Sequence, residues 1–233
     1  MENREVILIV AVIVVSILLS SVVYWRKKML LRKEDYRAIK TVSLLSGKEV
    51  VEQMLKENDM DGITVKTKDS SLVEYWFSPR TKSITLSPRA CYGCGLYEVT
   101  RAAHTAAHAI QYEKAYRWID LFIFFSPLVE VLSRILPFLL ILCIYLMIVS
   151  AYWGLFAIVS LYLVSLLLVL LMQPVENDAS RRAKEWLVSH SVVDKADYEK
   201  LDKVSRIIKN YNILAITTSW IAVFGARQAM REW

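Results

Sequence analysis

The feature that most constrains the fold is a run of thirty-eight residues, 135–172, that carries no charged side chain. One helical crossing of a hydrocarbon core about 30 Å thick takes about 20 apolar residues. The run is therefore long enough for two crossings, and SAYWG (150–154) offers a turn between them. Because backbone polar groups must be satisfied internally in lipid, we expect an antiparallel helical hairpin that returns the chain to its starting side.

A second apolar stretch, VILIVAVIVVSILLSSVVYW, covers residues 6–25 without a charge. Its length matches one crossing and exceeds the apolar core of a typical secretory signal, and no A-x-A-like cleavage site follows it. We therefore expect a transmembrane anchor rather than a cleaved signal. The chain as a whole is 55% hydrophobic, which is more apolar than an ordinary soluble domain of this length.

The residues directly after this stretch form a basic cluster: Arg26, Lys27, Lys28, Arg32, Lys33, Arg37 and Lys40. By the positive-inside rule, this side of the membrane is cytoplasmic and the N-terminus lies outside. Basic runs also occur in nucleic-acid-binding proteins, but beside a membrane helix such a run favours contact with anionic lipid headgroups. The expected partner is the lipid bilayer, and no nucleic acid is expected.

Between the anchor and the hairpin, the sequence predicts a small α+β portion. SGKEVVEQMLKEN (46–58) has a Ser N-cap followed three residues later by Glu, which is typical of a helix start. The alternating stretches ITVKT (63–67) and SITLS (83–87) predict strands of a small sheet. An Ala-rich segment without Gly or Pro then predicts a helix over 96–116.

The remaining segments flank the hairpin. The apolar stretch 121–134 contains Pro, Glu and Arg and is expected partly in the membrane interface. Residues 176–209 form a charged segment that we expect to be helical. The uncharged stretch 211–226 fits either a fourth span or a buried or interfacial helix.

Together these segments predict a mainly α membrane protein of α+β type, with three to four transmembrane helices, a small cytoplasmic α+β portion and a short sheet. The predicted division of the chain is 1–25 (anchor), 26–120 (basic linker and cytoplasmic portion), 121–172 (interfacial segment and hairpin), 173–210 (cytoplasmic helices) and 211–233 (apolar helix and tail).

Two of the three histidines, His104 and His108, lie four positions apart in the predicted helix over 96–116. Residues four apart share one face of a helix, so both imidazoles can reach one ion. Glu176 is the first carboxylate after the hairpin, on the side to which the chain returns. Two His, one Glu and an open water position make a catalytic zinc site. Alternatively, Glu176 is the N-terminal acid of a helix that starts after Pro174.

Other candidate residues have simpler explanations. Asp178 lies about 200° around a helix from Glu176, so we expect it to orient a partner or to cap rather than to bind the same ion. Cys91 and Cys94 have CxxC spacing, but no second CxxC completes a four-ligand site. A loop before a helix is favoured for this pair over a metal or redox role. His190 stands alone and is expected to be structural.

The order of these features resembles the YugP-like family of membrane-bound neutral zinc metallopeptidases. The matching segments are SGKEV, SPRTKSITLS, AAHTAAHAIQ, PVENDASRRA and YNILAITTSWIAVF, so the resemblance covers nearly all of the chain after the anchor. In the family the helix reads HEVGHAIQ, and PVEFDASRRA provides the last ligand. The resemblance implies that the cytoplasmic α+β portion is zincin-like and that His104, His108 and Glu176 bind Zn²⁺. It also implies that the activity is metal-assisted hydrolysis of peptide bonds in membrane or membrane-adjacent proteins.

One departure from the family pattern concerns the chemistry itself. Thr105 stands where the family has the Glu of HExxH, which takes a proton from the attacking water and later delivers it to the leaving amine. A Thr hydroxyl cannot hold that proton near neutral pH, so the sequence predicts weak or no hydrolysis. Helical geometry places Glu113 on the opposite side of the helix from His104 and Glu98 about two turns from Thr105, too far to substitute.

A second departure is YWFSPR (75–80) in place of the family's DHYDPR. It favours natural loss of activity over a Thr105 introduced to trap a complex. Two functions therefore remain open: an attenuated membrane peptidase, or a non-catalytic scaffold that holds a protein partner in the former substrate groove. In the second, an extended peptide would pair with the predicted strands beside Ile84, Thr85 and Leu86. The sequence is compatible with a homo-oligomer and does not indicate an oligomeric state.

Overall fold

The computed structural model describes residues 33–68 and 75–217. The predicted anchor (6–25) and the end of the C-terminal apolar stretch, from residue 218 onward, lie outside these ranges, so both stay predictions. Within them the chain is mostly helical and contains one small sheet.

The elements follow one another in a simple order. They are α1 (Gly47–Lys56), β1 (Thr64–Thr67), β2 (Tyr75–Ser78), β3 (Ser83–Leu86), α2 (Pro88–Tyr92), α3 (Leu96–Glu113), α4 (Ile119–Glu130), a π-helical segment (Val131–Ile135), α5 (Leu136–Tyr145), α6 (Ala151–Ser189), a 3₁₀ turn (Lys195–Asp197) and α7 (Tyr198–Thr217).

Helix α1 begins where its capping sequence predicts. The Ser46 hydroxyl accepts a hydrogen bond from the Glu49 backbone N–H at 3.3 Å, and the Glu49 carboxylate accepts from the Ser46 backbone N–H at 2.7 Å. This reciprocal box satisfies two donors that a helix start leaves without intrahelical partners. The helix predicted from this capping sequence is confirmed, and its apolar side is buried through Val50, Val51, Met54 and Leu55.

The sheet has the strand order β1-β3-β2. β1 pairs parallel to β3, and β2 pairs antiparallel to β3, with Phe77 opposite Ile84. The two predicted strands are confirmed, but β2 was not predicted and takes the second edge of β3. β3 is the central strand, and both its backbone edges are occupied within the sheet. The substrate-groove candidates Ile84, Thr85 and Leu86 stay a prediction. Ile84 and Leu86 are core residues without exposed surface.

The apolar run forms two helical arms joined by a short turn. The first arm runs without interruption from Ile119 to Tyr145 and includes the π-helical segment, and the second is the apolar part of α6. Both are long and apolar enough to cross a membrane, and less than a fifth of each apolar window is buried, unlike the core helix of a soluble protein. By length and composition they are two candidate membrane spans, and the total of three to four spans stays a prediction.

Two details of the hairpin differ from the sequence expectation. Residues 121–134 belong to the first arm rather than to a separate interfacial segment, because a helix that contains Pro127 continues directly into the π-helical turn. The connection between the arms falls at 146–150, slightly before the predicted turn.

Helix α6 continues beyond the apolar run into the polar portion of the protein. It has thirty-nine residues and keeps Pro174 inside, so Glu176 lies within a helix and not at the start of one. The alternative role of Glu176 as an N-terminal acid is therefore wrong. The residue before a proline is only biased against helix, and here the buried residues Val175, Ala179 and Ala183 hold the continuous helix against the core.

The main hydrophobic core joins α1, the sheet, α3, the polar end of α6 and α7. Helix α3 lies at its centre, and its residues Ala102, Ala103, Ala106 and Ala109 have no exposed surface. Small side chains let neighbouring helices approach closely. A second, smaller cluster of Val129, Val169 and Met172 joins the two arms of the hairpin near the C-terminal half of α3. The five-part division of the chain stays a prediction.

Candidate metal centre

The two histidines of α3 face Glu176 of α6. The Nε2 atom of His104 lies 3.1 Å from Glu176 Oε2 and 3.2 Å from Nε2 of His108, and His108 Nε2 lies 3.9 Å from Glu176 Oε1. All three residues offer a ligand atom within 4.8 Å of the others. In the described part of the chain, this is the only group of three or more His, Cys, Asp or Glu side chains with that spacing.

These distances fit a tetrahedral zinc ion. Zn–N and Zn–O bonds of about 2.0–2.1 Å at tetrahedral angles place neighbouring ligand atoms about 3.3–3.4 Å apart. The observed spacings of 3.1, 3.2 and 3.9 Å bracket this value. Three protein ligands also leave the fourth position for water or substrate, as in catalytic zinc sites.

The side chains of His104 and Glu176 are buried, and His108, which is partly buried, is in the protonation state that metal binding requires. The side chains of His104 and Glu176 are 3% and 2% exposed, while that of His108 is 14% exposed. Burial lowers the pKa of His108 to about 4, and the Glu176 carboxylate opposes this shift without cancelling it. His108 is therefore neutral near pH 7, and neutral imidazole is the form that ligates a metal.

The second nitrogen of each histidine has a partner that aims the first at the site. His104 Nδ1 lies 3.2 Å from the Ser180 hydroxyl, and His108 Nδ1 lies 3.0 Å from Gln111 Oε1. When Nδ1–H donates to such an acceptor, the lone pair of Nε2 is left for the metal. These two contacts explain how both Nε2 atoms point at Glu176.

Asp178 and Gln111 form the next layer around the site. The Gln111 amide donates to the Val175 carbonyl and to Asp178 Oδ2, both at 2.9 Å. Arg182 Nε donates to the same Asp178 oxygen at 2.6 Å, and Arg181 pairs with the other oxygen. Asp178 thus contacts Gln111, Arg181 and Arg182, and its role in orienting a partner stays a prediction. Sequence reasoning did not single out Gln111 or Ser180, although both lie within the motifs AHAIQ and DASRRA.

The apolar hairpin covers one side of the site. The ring of Phe122 in α4 stacks on His108, with centroids 5.1 Å apart and planes 21° from parallel. Phe122 also packs against the small cluster that contains Met172, four residues before Glu176 in α6. At 1.5 Å per residue, the ligand Glu176 lies about 6 Å along the helix from the end of the apolar run.

Thr105 lies beside the ligands but is turned toward the helix backbone. It is 5% exposed, and its hydroxyl donates to the Arg101 carbonyl at 3.0 Å. The two carboxylates considered as substitutes for the missing Glu are bound elsewhere. Glu98 pairs with Arg37 at 2.6 Å, and Glu113 pairs with Lys82 at 3.1 Å. Three residues that could hold a metal ion therefore lie beside a residue that cannot act as a base.

The remaining candidates take structural roles. Cys91 and Cys94 are free thiols, and Cys91 is hydrogen-bonded to the Thr67 hydroxyl in the core. His190 pairs with Glu57 and stacks on Trp186 at the end of α6, which agrees with the structural role expected for it.

A protein-family model described as "Putative neutral zinc metallopeptidase" matches residues 6–217. The chain belongs to this family. It is also 25% identical over 180 residues to "Putative membrane protease YugP" of Bacillus subtilis (strain 168), an alignment that covers 73% of this chain and 74% of the relative. No solved structure gives a significant match. Membership of the neutral zinc metallopeptidase family confirms the resemblance seen in the sequence and implies zinc as the metal.

Proposed function

We propose that this chain is an integral-membrane zinc metallopeptidase-family protein that binds zinc through His104, His108 and Glu176 but hydrolyses peptide bonds weakly or not at all. One observation carries the proposal: ligand atoms of two buried residues and the partly buried His108 converge with spacings suited to zinc, while Thr105 occupies the position of the general base. The side chains that support the ligands are also in place, so what the site lacks is the proton carrier.

Each side chain at the proposed metal site has a different chemical role. Zinc bound here would supply Lewis-acid activation of water and of the peptide carbonyl. Ser180 and Gln111 hold the two imidazoles with Nε2 toward the ion. Thr105 has its hydroxyl committed to the Arg101 carbonyl, and near neutral pH it cannot take a proton from water or return one to the leaving amine. Losing a well-placed base costs about 10²–10⁴-fold in rate.

The structure favours β2 as the strand that would hold an extended peptide. β2 is an edge strand of the sheet and has a strand partner on one side only among the residues described. It also lies over the site helix, since the ring of Phe77 contacts that of Tyr112 in α3 with centroids 5.9 Å apart. A peptide added antiparallel or parallel to β2 would run past the face of α3 that carries Thr105.

The membrane setting limits the proteins that can reach the site. In the proposed topology the N-terminus is outside, the chain crosses the membrane several times and the metal site lies on the cytoplasmic side, as the basic cluster after the anchor favours. Phe122 of the hairpin stacks directly on His108, so the site is close to the apolar arms. The proposed substrates or partners are therefore membrane proteins or proteins bound at the membrane surface.

The peptidase proposal is tested with the full chain in lipid nanodiscs, loaded with zinc and incubated with a mixed peptide library. Cleavage products are followed by mass spectrometry, and zinc content is measured on the same sample. We expect about one zinc per chain and little or no cleavage of the peptides. Any cleavage that is seen should stop when a zinc chelator is added. Rapid chelator-sensitive cleavage by the unaltered chain would contradict the assigned role of Thr105.

A scaffold that holds a partner without cleaving it is the second candidate function, and the complete ligand set beside Thr105 favours it. A photo-crosslinking amino acid at Ser78, on edge strand β2, tests it in native membranes, and the matched control is the same group at Thr85 on the central strand β3. One defined protein captured from Ser78 and not from Thr85 is expected. Equal capture from both positions would argue against a groove along β2.

A further inference from the structure

Gln111 is a fully buried amide whose hydrogen-bonding groups are all engaged. It has no exposed surface, its Oε1 lies 3.0 Å from His108 Nδ1, and its Nε2 donates to the Val175 carbonyl and to Asp178 Oδ2. Buried polar groups are stable only when hydrogen-bonded. Gln111 therefore ties the second histidine of α3 to the segment of α6 that carries Glu176.

The partners of Gln111 determine which way its amide faces. A backbone carbonyl and a carboxylate can only accept hydrogen bonds, so the Nε2 of Gln111, which carries two hydrogens, must face Val175 and Asp178. Its oxygen must then face His108, and an oxygen can only accept. Nδ1 of His108 must in turn carry the hydrogen, which leaves the lone pair of Nε2 directed at the other two ligands.

Asp178 is itself held in place from the outside. Arg182 Nε donates to Oδ2 at 2.6 Å, and Arg181 pairs with Oδ1. The two arginines thus fix the carboxylate that receives the Gln111 amide. Val175 and Asp178 flank Glu176 along α6, so the same contacts also set the register between the two helices that supply the ligands.

We propose that Gln111 and Asp178 form a positioning relay that locks His108 in the Nδ1–H tautomer, aligns α3 with α6, and so sets the zinc affinity of the site. The inference rests on the proposed function in one respect, which is that the three ligands bind zinc. Neither residue is a ligand or a catalytic residue; both act through His108. Outer partners of metal-bound histidines typically change metal affinity by about 10–100-fold when removed.

The test measures zinc affinity of the full chain in detergent by competition with a fluorescent chelator. Gln111→Leu removes both the acceptor and the donor at nearly constant size, and we expect zinc binding weaker by about 10–100-fold. The double variant Gln111→Glu with Asp178→Asn exchanges amide and carboxylate between the two positions. Gln111→Glu alone keeps an acceptor for His108 but sets its carboxylate against that of Asp178. The added Asp178→Asn supplies an amide donor between the two positions, so the double variant should bind zinc more tightly than Gln111→Glu alone. Glu185→Gln is the matched control, because Glu185 pairs with Arg181 outside the relay.

A second readout separates positioning from general damage. Nitrogen-15 NMR of metal-free protein with labelled histidine should show His108 as the Nδ1–H tautomer in the unaltered chain and as a mixture in Gln111→Leu. Equal zinc affinity and the same tautomer in both would overturn the relay. If Gln111→Leu does not fold, the zinc affinity of the double variant is compared with that of Gln111→Glu. The relay is refuted if the double variant does not bind zinc more tightly.

Failure of the proposed function is distinguishable from failure of the relay. If the unaltered chain takes up no zinc, the metal-binding proposal falls, whereas the tautomer of His108 in the metal-free protein still reports whether Gln111 positions it. If the unaltered chain binds zinc and Gln111→Leu binds it equally well with the same tautomer, the relay alone is wrong.

Discussion

A glutamate at position 105 would supply the one group that the site lacks. Thr105 directly follows the ligand His104, and its hydroxyl is turned back to the Arg101 carbonyl. A glutamate there has a longer side chain that can leave this backbone contact and reach toward the open side of the metal. A general base is worth about 10²–10⁴-fold in rate, which corresponds to about 3–5 kcal/mol of activation free energy.

The surroundings of position 105 favour an ionised carboxylate. Thr105 is 5% exposed, so a new carboxylate would be largely shielded from water. Arg101, one turn earlier on α3, already acts electrostatically on His108. Its positive charge would help to keep the carboxylate ionised and able to accept a proton. We therefore expect Thr105→Glu to raise the rate at least about 100-fold over the unaltered chain.

The assay compares zinc-loaded Thr105→Glu with the unaltered chain on a quenched fluorogenic peptide in nanodiscs. Thr105→Gln is the matched control, because it has nearly the same size and cannot take up a proton. Thr105→Glu combined with His108→Ala should be inactive. A chain that already cleaves as fast as Thr105→Glu would refute the claim that Thr105 limits catalysis, and no gain in a zinc-loaded Thr105→Glu would show that the substrate cleft has also been lost.

Two further predictions concern stability. Because burial lowers the pKa of His108 to about 4 in the folded metal-free protein, the unfolded state binds the proton first on acidification. The free energy of unfolding should fall by up to about 3 kcal/mol between pH 6.5 and pH 4, and His108→Gln should flatten this slope in denaturant titrations. Gly47→Ala would place a Cβ 2.2 Å from the Ala90 carbonyl oxygen and should cost about 1–3 kcal/mol in thermal unfolding. Gly62→Ala, with nothing within 4 Å, should not destabilise, and equal effects would contradict the packing argument.

Local sequence patterns predicted the helices and the hairpin that are determined by interactions between residues close together in the chain. The capping box at Ser46 and Glu49 fixed the start of α1, and the spacing of His104 and His108 placed both imidazoles on one face of α3. The charge-free run predicted a helical hairpin because length and composition alone govern that outcome.

Features that depend on distant contacts were not predictable in the same way. β2 reads as an apolar and aromatic segment, and its place at the edge of the sheet follows from pairing with β3 and packing on α3. Pro174 suggests a helix boundary, but packing of Val175 and Ala179 against the core overrides that local bias. The role of Gln111 depends on α6, sixty-four residues away along the chain at Val175, so spacing within α3 gives no sign of it.

The proposed function requires that His104, His108 and Glu176 hold a metal ion. Inductively coupled plasma mass spectrometry gives the zinc content of the detergent-purified chain, which is compared with that of His108→Ala and Glu176→Ala. We expect nearly one zinc per chain, lost in both variants, with Thr105→Gln retaining it. No zinc above background in the unaltered chain, or zinc that persists in both ligand variants, would contradict the proposed function.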